Sequence, residues 1–317
     1  MTTANENLRR ADVTLAQLAS NGGLLSPEQT STFFDLVVDE PTILNQIRRV
    51  DMATSEQRIN KIGLGGRLLH GATQSGGQED NGTNGRYLAK NKRAAPTTSQ
   101  ITMNTREVIA EMRIPYEVLE DNIEGQNYEQ HMMRLMAQRG ALDLEELCLF
   151  GDKTIDPAVD DFLCLQDGFI KRATAHQVDN AAAGPDDDMI TQALLAMPQQ
   201  YLRYLPQMRA WISQANKIKF QASRISRNTA LGDASVVGNL SLVSQGLQIE
   251  PAPSMAADGT GAKGLITFPQ NLIIGFQRQI TLEYDKDIRS REYIIVLTMR
   301  IALQVEDSNA LVLLKNI

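Results

Sequence analysis

The stretch from Gln126 to Gly151, QNYEQHMMRLMAQRGALDLEELCLFG, predicts one long helix of roughly seven turns at the ordinary helical rise. Met132, Leu135, Met136, Leu144 and Leu147 fall on a broad apolar stripe at helical spacing, with Gln130, Arg134, Gln138 and Glu145 on the other side. Upstream, an uninterrupted β pattern runs into Ile114-Pro115-Tyr116, and before it lies a polar excursion from Gly63 to Pro96. A long amphipathic helix beside a large exposed hairpin is the plan of a building block rather than a catalyst.

The excursion is the most unusual composition in the chain. Gly63, Gly65, Gly66, Gly71, Gly76, Gly77, Gly82 and Gly85 are interspersed with serine, threonine and asparagine. So long an excursion is uncommon inside a compact domain and is generally functional or disordered. With β patterns on both sides it reads as a two-stranded arm with a flexible tip. An isolated ribbon of that kind cannot stabilise itself and exposes two edges, so it asks for a partner subunit.

Outward from these two elements the chain is well punctuated. Ser26-Pro27-Glu28-Gln29 combines a serine N-cap, proline at the first helical position and glutamine three residues on, and a short helix with Phe33, Phe34, Val37 and Val38 inward should end at Pro41. Ile43 to Ile62 suits extended strands. Ile101 to Leu119 alternates, with Val108, Ala110, Met112 and Ile114 on one face. The long helix closes on Phe150-Gly151-Asp152, glycine being the usual C-terminal device. Asp186, Asp187 and Asp188 crowd a helix start, followed at helical spacing by Ile190, Leu194 and Met197. Met208 to Ile212 is a buried strand around the only tryptophan, Trp211. Ser213 can cap a helix to about Arg227 with Ile218, Ala222 and Ile225 inward. Ile280 to Tyr284 is a strand and Asp285-Lys286-Asp287 its turn. Ile295, Leu297, Met299, Ile301, Leu303 and Val305 alternate along the next strand, and Leu311 to Leu314 forms a last one.

Composition excludes several classes of function. With 317 residues and 42% apolar content the chain can bury a large core. No window reaches the roughly eighteen continuous apolar residues of a membrane span, and Met1 to Arg10 lacks the order of a secretion signal. The net charge of −7 and the lack of a dense basic stripe argue against tight nucleic-acid binding and for weak repulsion from DNA. Cys148 and Cys164 cannot form a disulfide framework and read as packing thiols in apolar settings. His70, His131 and His176 stand alone, without HExxH or CxxC, whereas zinc needs three or four clustered ligands. No phosphate-binding glycine loop and no GxSxG elbow occurs. Asp186 to Asp188 could hold a divalent ion, but helix capping explains them more simply. Asp160-Asp161 and the Asp285/Asp287 pair read as solvated loops. Met132, Met133 and Met136 read as core. Lys90 and Lys92, in the arm, could contact an acidic neighbour or form an isopeptide bond, with a solvated tip as the simpler reading.

The succession of these features carries a resemblance. The order is an N-terminal arm, a long glycine-rich hairpin, a strand into Ile114-Pro115-Tyr116-Glu117-Val118-Leu119-Glu120-Asp121, and a long helix ending in Phe150-Gly151-Asp152. Leu194-Leu195-Ala196-Met197-Pro198 with Tyr201, then Trp211-Ile212-Ser213, then Leu272-Ile273-Ile274-Gly275-Phe276 and a final strand carrying Arg300, continue the match. From about Ser26 onward the chain resembles the major capsid proteins of tailed bacteriophages, the Hong Kong 97-like fold.

That resemblance implies an α+β subunit in five parts: an N-terminal arm with its short helix (1–55), an extended β-hairpin loop (56–100), a peripheral domain (101–184) with the spine helix 126–151, an axial domain (185–269), and C-terminal strands (270–317) returning to the peripheral domain. It implies no catalytic residue, cofactor or metal. The expected partners are copies of the chain itself, as hexamers and pentamers of a closed icosahedral shell, with Arg67, Arg86, Tyr87, Lys90, Lys92 and Arg93 of the loop as candidate inter-subunit contacts. A portal, a decoration protein and packaged double-stranded DNA, touched weakly and without sequence specificity, complete the set; no membrane is involved. The shell would be assembled in the bacterial host cytoplasm and end in the virion. Some family members carry a long scaffolding segment before the arm, whereas only residues 1–25, polar in character, precede the first helix here, so a separate scaffolding protein is expected. The covalent cross-linking of the family's type member does not carry over, because its residues find no match. Two other readings stay open: an encapsulin-like shell around protein cargo, and an intracellular enzyme with an acidic metal site at Asp186 to Asp188.

Overall fold

In the computed structural model the described residues are 42–64, 68–69, 95–117, 127–181, 183–225, 242–256 and 263–317. The short helix expected after Ser26 lies outside them. The strands are β1 (Arg48–Asp51), β2 (Glu56–Leu64), β3 (Pro96–Asn104), β4 (Arg106–Pro115), β5 (His176–Asp179) and β6 (Arg209–Ile212), then β7 (Leu242–Ser244), β8 (Leu247–Pro251), β9 (Lys263–Thr267), β10 (Leu272–Asp287), β11 (Glu292–Val305) and β12 (Val312–Lys315). The longer helices are α1 (Asn127–Phe150), α2 (Asp187–Ala196) and α3 (Gln214–Ile225). Two compact units can be told apart: one holds the chain to Ser55 and from Asn104 on, the other is Glu56–Met103.

In the larger unit the period-two alternation of β11 sets the first sheet, ordered β1-β10-β11-β4. Ile295, Leu297, Met299, Ile301, Leu303 and Val305 are all buried, so one face of the strand points to the core. β10 and β11 form a long antiparallel hairpin from Leu272↔Val305 to Asp287↔Glu292. The turn expected at Asp285–Asp287 is displaced: those residues stay in the ladder, and the turn is Ile288–Arg291. Asp287 stabilises it there, its carboxylate accepting from the backbone N–H of Arg289 at 2.9 Å, an Asx turn. β4 pairs along β11 from Glu292↔Pro115 to Ile301↔Arg106. Val108, Met112 and Ile114 face inward as expected, while Ala110 is exposed. β1 lies parallel to β10 on the other side.

Helix α1 covers the span expected from the sequence. Leu144, Leu147, Cys148 and Leu149 are buried, and Met132, Leu135 and Met136 are half-buried, so the C-terminal half of the stripe is the deep part. Each fully buried aliphatic side chain of this kind contributes about 1.5–3 kcal/mol. Met132 and Met136 close over Ile114 and Ile295. Gly151 ends the helix for a reason other than left-handed backbone, since its φ is not positive. A Cβ there would lie 2.3 Å from the Gln166 carbonyl oxygen and 2.7 Å from that of Leu147. Gly168 is equally tight against Leu149 and donates its N–H to the Gly151 carbonyl at 2.7 Å.

The second sheet is ordered β5-β12-β9-β6-β8-β7. Its central strands are continuous apolar runs because both faces are covered. Trp211, Leu265 and Leu313 join the cluster around the end of α1. Their neighbours Ala210, Ile212, Ile266, Val312 and Leu314 join a second cluster with Ile190 and Leu194 of α2 and Phe220 of α3. The last strand of the chain therefore belongs to this sheet, paired with β5 and β9, and not beside β10 and β11. Asp186 caps α2, accepting from Met189 N at 2.8 Å, and Ser213 caps α3, accepting from Asn216 N at 3.2 Å. The inward face of α3 differs from the expected one: Asn216 and Phe220 are buried, whereas Ile218 and Ala222 are exposed. The buried cap Ser213 sets the phase, and Asn216 and Phe220 follow it at i+3 and i+7.

Candidate assembly interface

The described residues of the smaller unit include a two-stranded ribbon, β2 against β3. Gln57, Ile59 and Lys61 are half-buried and alternate with exposed neighbours, and Ile62 is 73% exposed. Beyond it Leu68 and Leu69 are 58% and 84% exposed. Three large aliphatic side chains in water beside one two-stranded ribbon are an unsatisfied surface. Arg67, Arg86, Tyr87, Lys90, Lys92 and Arg93 lie outside the described residues.

The two chain crossings that lead to this ribbon are pinned within the larger unit. Thr105 donates its backbone N–H to the Ser55 carbonyl at 2.9 Å, and its hydroxyl donates to Gln277 Oε1 at 2.9 Å. Met52 N donates to the Phe276 carbonyl at 2.8 Å. Beside this root sits Gln166, which is buried. Its amide nitrogen donates to the carbonyls of Asn104 (2.8 Å) and Ile301 (2.9 Å), and its oxygen accepts from Leu303 N at 3.1 Å. β4 leaves β11 at Arg106↔Ile301, so the Gln166 side chain occupies the next ladder position as a substitute strand. Nothing in a lone glutamine within Cys164-Leu165-Gln166-Asp167 signals this in advance.

An apolar groove of about 220 Å³ opens between α1 and β4, lined by Val108, Ile109 and Ala110 on one side, Gly140 and Leu144 on the other, and Leu297 at its floor. Ile109 at its edge is 64% exposed. β4 is also the outer strand of its sheet, which leaves a row of backbone groups open to pairing.

Glu145 is a correction to the sequence reading: it was expected on the polar side of α1 and is fully buried. Its Oε2 accepts from the backbone N–H of Ile43 (3.0 Å) and Leu44 (3.4 Å), and its Oε1 accepts from the Ser254 hydroxyl at 2.9 Å. Burial pushes its pKa up, and the hydrogen bonds from Ser254, Ile43, Leu44 and Thr42 offset part of that rise.

Most of the acidic groups weighed as ion sites are engaged by donors of the chain itself. Asp187 is held by Arg224 at 2.7 Å and by the Ser244 hydroxyl, Asp186 is the α2 cap, and Asp188 is exposed. Asp160 accepts from Phe162 N and Leu163 N, both at 2.9 Å. Asp285 accepts from Lys286 N at 2.7 Å and Asp287 from Arg289 N at 2.9 Å. Among the described residues no group of three or more His, Cys, Asp or Glu side chains gathers as a metal site. Cys148 is buried, and burial followed by the Glu145 charge pushes its thiol far up, so it is inert packing. Cys164 is half-buried, with Sγ 3.4 Å from the Asp161 carbonyl. No helix among the described residues is long and apolar enough to cross a membrane.

Comparison with known proteins gives this geometry its context. YqbE of Bacillus subtilis (strain 168), named as a prophage capsid protein, is 36% identical over 313 residues, covering 96% of each chain. Among solved structures, the capsid of a native GTA particle matches with a TM-score of 0.61 at 15% identity, over 96% of this chain and 99% of that one. The satellite phage P4 procapsid that includes size determination (Sid) protein matches with a TM-score of 0.61 at 15% identity, over 95% and 97%. At such identity these two speak for the fold alone. The profile of the Phage capsid family covers residues 21–316, and with the relative it settles the matter: the chain belongs to the phage capsid family, a major capsid protein of the Hong Kong 97-like fold and a structural component of the virion rather than an enzyme.

Proposed function

We propose that the ribbon Glu56–Met103 is the clasp by which one subunit holds the next in the icosahedral head. The observation that carries this is a ribbon with Ile62, Leu68 and Leu69 in solvent on a root pinned by Thr105. A rigid root with an uncovered ribbon gains stability only when a neighbour covers it, and closed symmetry supplies that neighbour at every position. Residues 1–55 act as the N-terminal arm, 56–100 as the extended loop, 101–184 as the peripheral domain, 185–269 as the axial domain around the five- and six-fold centres, and 270–317 as the returning strands. Arg67, Arg86, Tyr87, Lys90, Lys92 and Arg93 make the polar contacts across the interface. The groove between α1 and β4 is an apolar surface for an adjoining copy. A separate scaffolding protein guides closure, a portal occupies one vertex, a decoration protein has the outer surface available, and packaged double-stranded DNA is contacted weakly, in keeping with the net charge of −7.

Deleting residues 66–94 and joining the ends tests the clasp. The expected product is a folded subunit, with the far-ultraviolet dichroism of the parent core, that forms no stable shells by sedimentation. Normal particles from the deletion would refute it.

A further inference from the structure

Three segments distant in sequence meet at the Glu145 carboxylate. They are α1, the turn that begins at Thr42, and the short turn Pro253–Ala256 that carries Ser254. The first turn is closed by Gln46 N and Ile47 N on the Ile43 carbonyl, at 2.9 and 3.2 Å, and Glu145 reaches from α1 to cap its free N–H groups. Its side chain ties the turn that begins at Thr42 to the spine helix, beside the apolar packing of Ile43, Leu44 and Ile47.

No cation answers this carboxylate among the described residues. On α1 the nearest titratable groups are Cys148, Glu146 and Asp143, the last paired with Arg139 at 2.9 Å. From the 42–47 turn and β1, the Arg49 guanidinium donates to the Leu44 carbonyl at 3.2 Å, and Gln46 donates to Glu250, which pairs with Arg209 at 3.2 Å. The Pro253–Ala256 turn carries no ionisable side chain. Lys171 and Arg172, from the turn after Gly168, are engaged by Asp152 and Gln304. An ionised group buried with hydrogen-bond donors but no counter-charge is a net cost that hydration on opening would relieve.

We propose that Glu145 is a releasable latch: it holds the Thr42–Leu44 turn and the Ser254 turn onto the spine helix when closed, and ionisation favours its opening. The closed state binds the proton more tightly than the open, hydrated state. Closure is therefore strongest below the ordinary carboxylate pKa and weakens as pH rises through the raised one, by about tenfold in the opening constant per pH unit within that window. A protonated carboxyl still serves these partners, since its carbonyl oxygen accepts from the backbone and its hydroxyl meets Ser254 Oγ. The amide introduced by Glu145→Gln presents the same pattern of acceptor and donor without the charge.

Amide hydrogen exchange of the full chain, followed on the peptide spanning residues 42–47 and corrected for the intrinsic rate at each pH, reads the latch directly. In the wild type, protection at Ile43 and Leu44 falls as pH rises. Glu145→Gln removes the pH dependence and keeps protection high. Ser254→Ala, which removes a group that favours the ionised form, extends the fall to higher pH without moving its onset. Protection in the wild type that is flat with pH, or rises with it, overturns the proposal whatever the variants do. A Glu145→Gln profile that still follows the wild type overturns it equally.

Discussion

Gln166→Leu is the sharpest test of how the loop root is held. Leucine preserves most of the volume and removes every hydrogen bond. The carbonyl of Ile301 and the N–H of Leu303 lose a partner in a fully buried position, and the Asn104 carbonyl loses one in a partly buried position. A buried backbone group left unpaired costs about 1–3 kcal/mol. Two such groups, with a smaller contribution from Asn104 because water can reach it, sum to roughly 3–6 kcal/mol. Set against the ~5–15 kcal/mol that holds a folded domain together, that is a large fraction. Urea denaturation of the unassembled subunit, with an m-value of about 3 kcal/mol/M, would show a midpoint lowered by roughly 1–2 M. Gln166→Glu should also destabilise at neutral pH, because it keeps the acceptor for Leu303 but loses both donors and buries a charge. A Gln166→Leu midpoint equal to the wild type would refute the claim that this side chain substitutes for a strand.

Three further outcomes follow from the packing. Gly151→Ala places a methyl group 2.3 Å from the Gln166 carbonyl oxygen, so backbone must move, and thermal denaturation should report a loss of about 1–3 kcal/mol. On α1, Leu147→Ala should cost about 2–5 kcal/mol by cavity formation. Because Leu135 is only half-buried, Leu135→Asp should be tolerated far better than Leu147→Asp, as the yield of soluble folded subunit would show.

The parts of this subunit that could be read from sequence are those governed by local rules. The ends of α1, the caps Asp186 and Ser213, and the inward residues of β11 follow from spacing and capping chemistry within a turn or a strand. The errors arise where a distant partner decides. Glu145 looks like a surface residue on a helical wheel, and only the turn at Ile43, 102 positions away, makes it a buried cap. Gln166 acquires its role from the point at which β4 leaves β11. The hairpin turn moved to Ile288–Arg291 because the Asp287 side chain organises it, whereas three charged residues in a row had suggested an earlier reversal. The short strands β5, β7 and β8 offered no period long enough to read, and β12 could not be assigned to a sheet from its own apolar run. For the interface, the β patterns on either side of the glycine-rich stretch pointed to the paired strands β2 and β3, yet the pinned root around Thr105 had no sequence signature.

The central claim is that this chain builds closed shells. Negative-stain electron microscopy of the purified chain, expressed alone and with a co-expressed scaffolding protein, tests it most directly. Closed, isometric particles are expected in at least the second condition. A homogeneous small oligomer in both would contradict it.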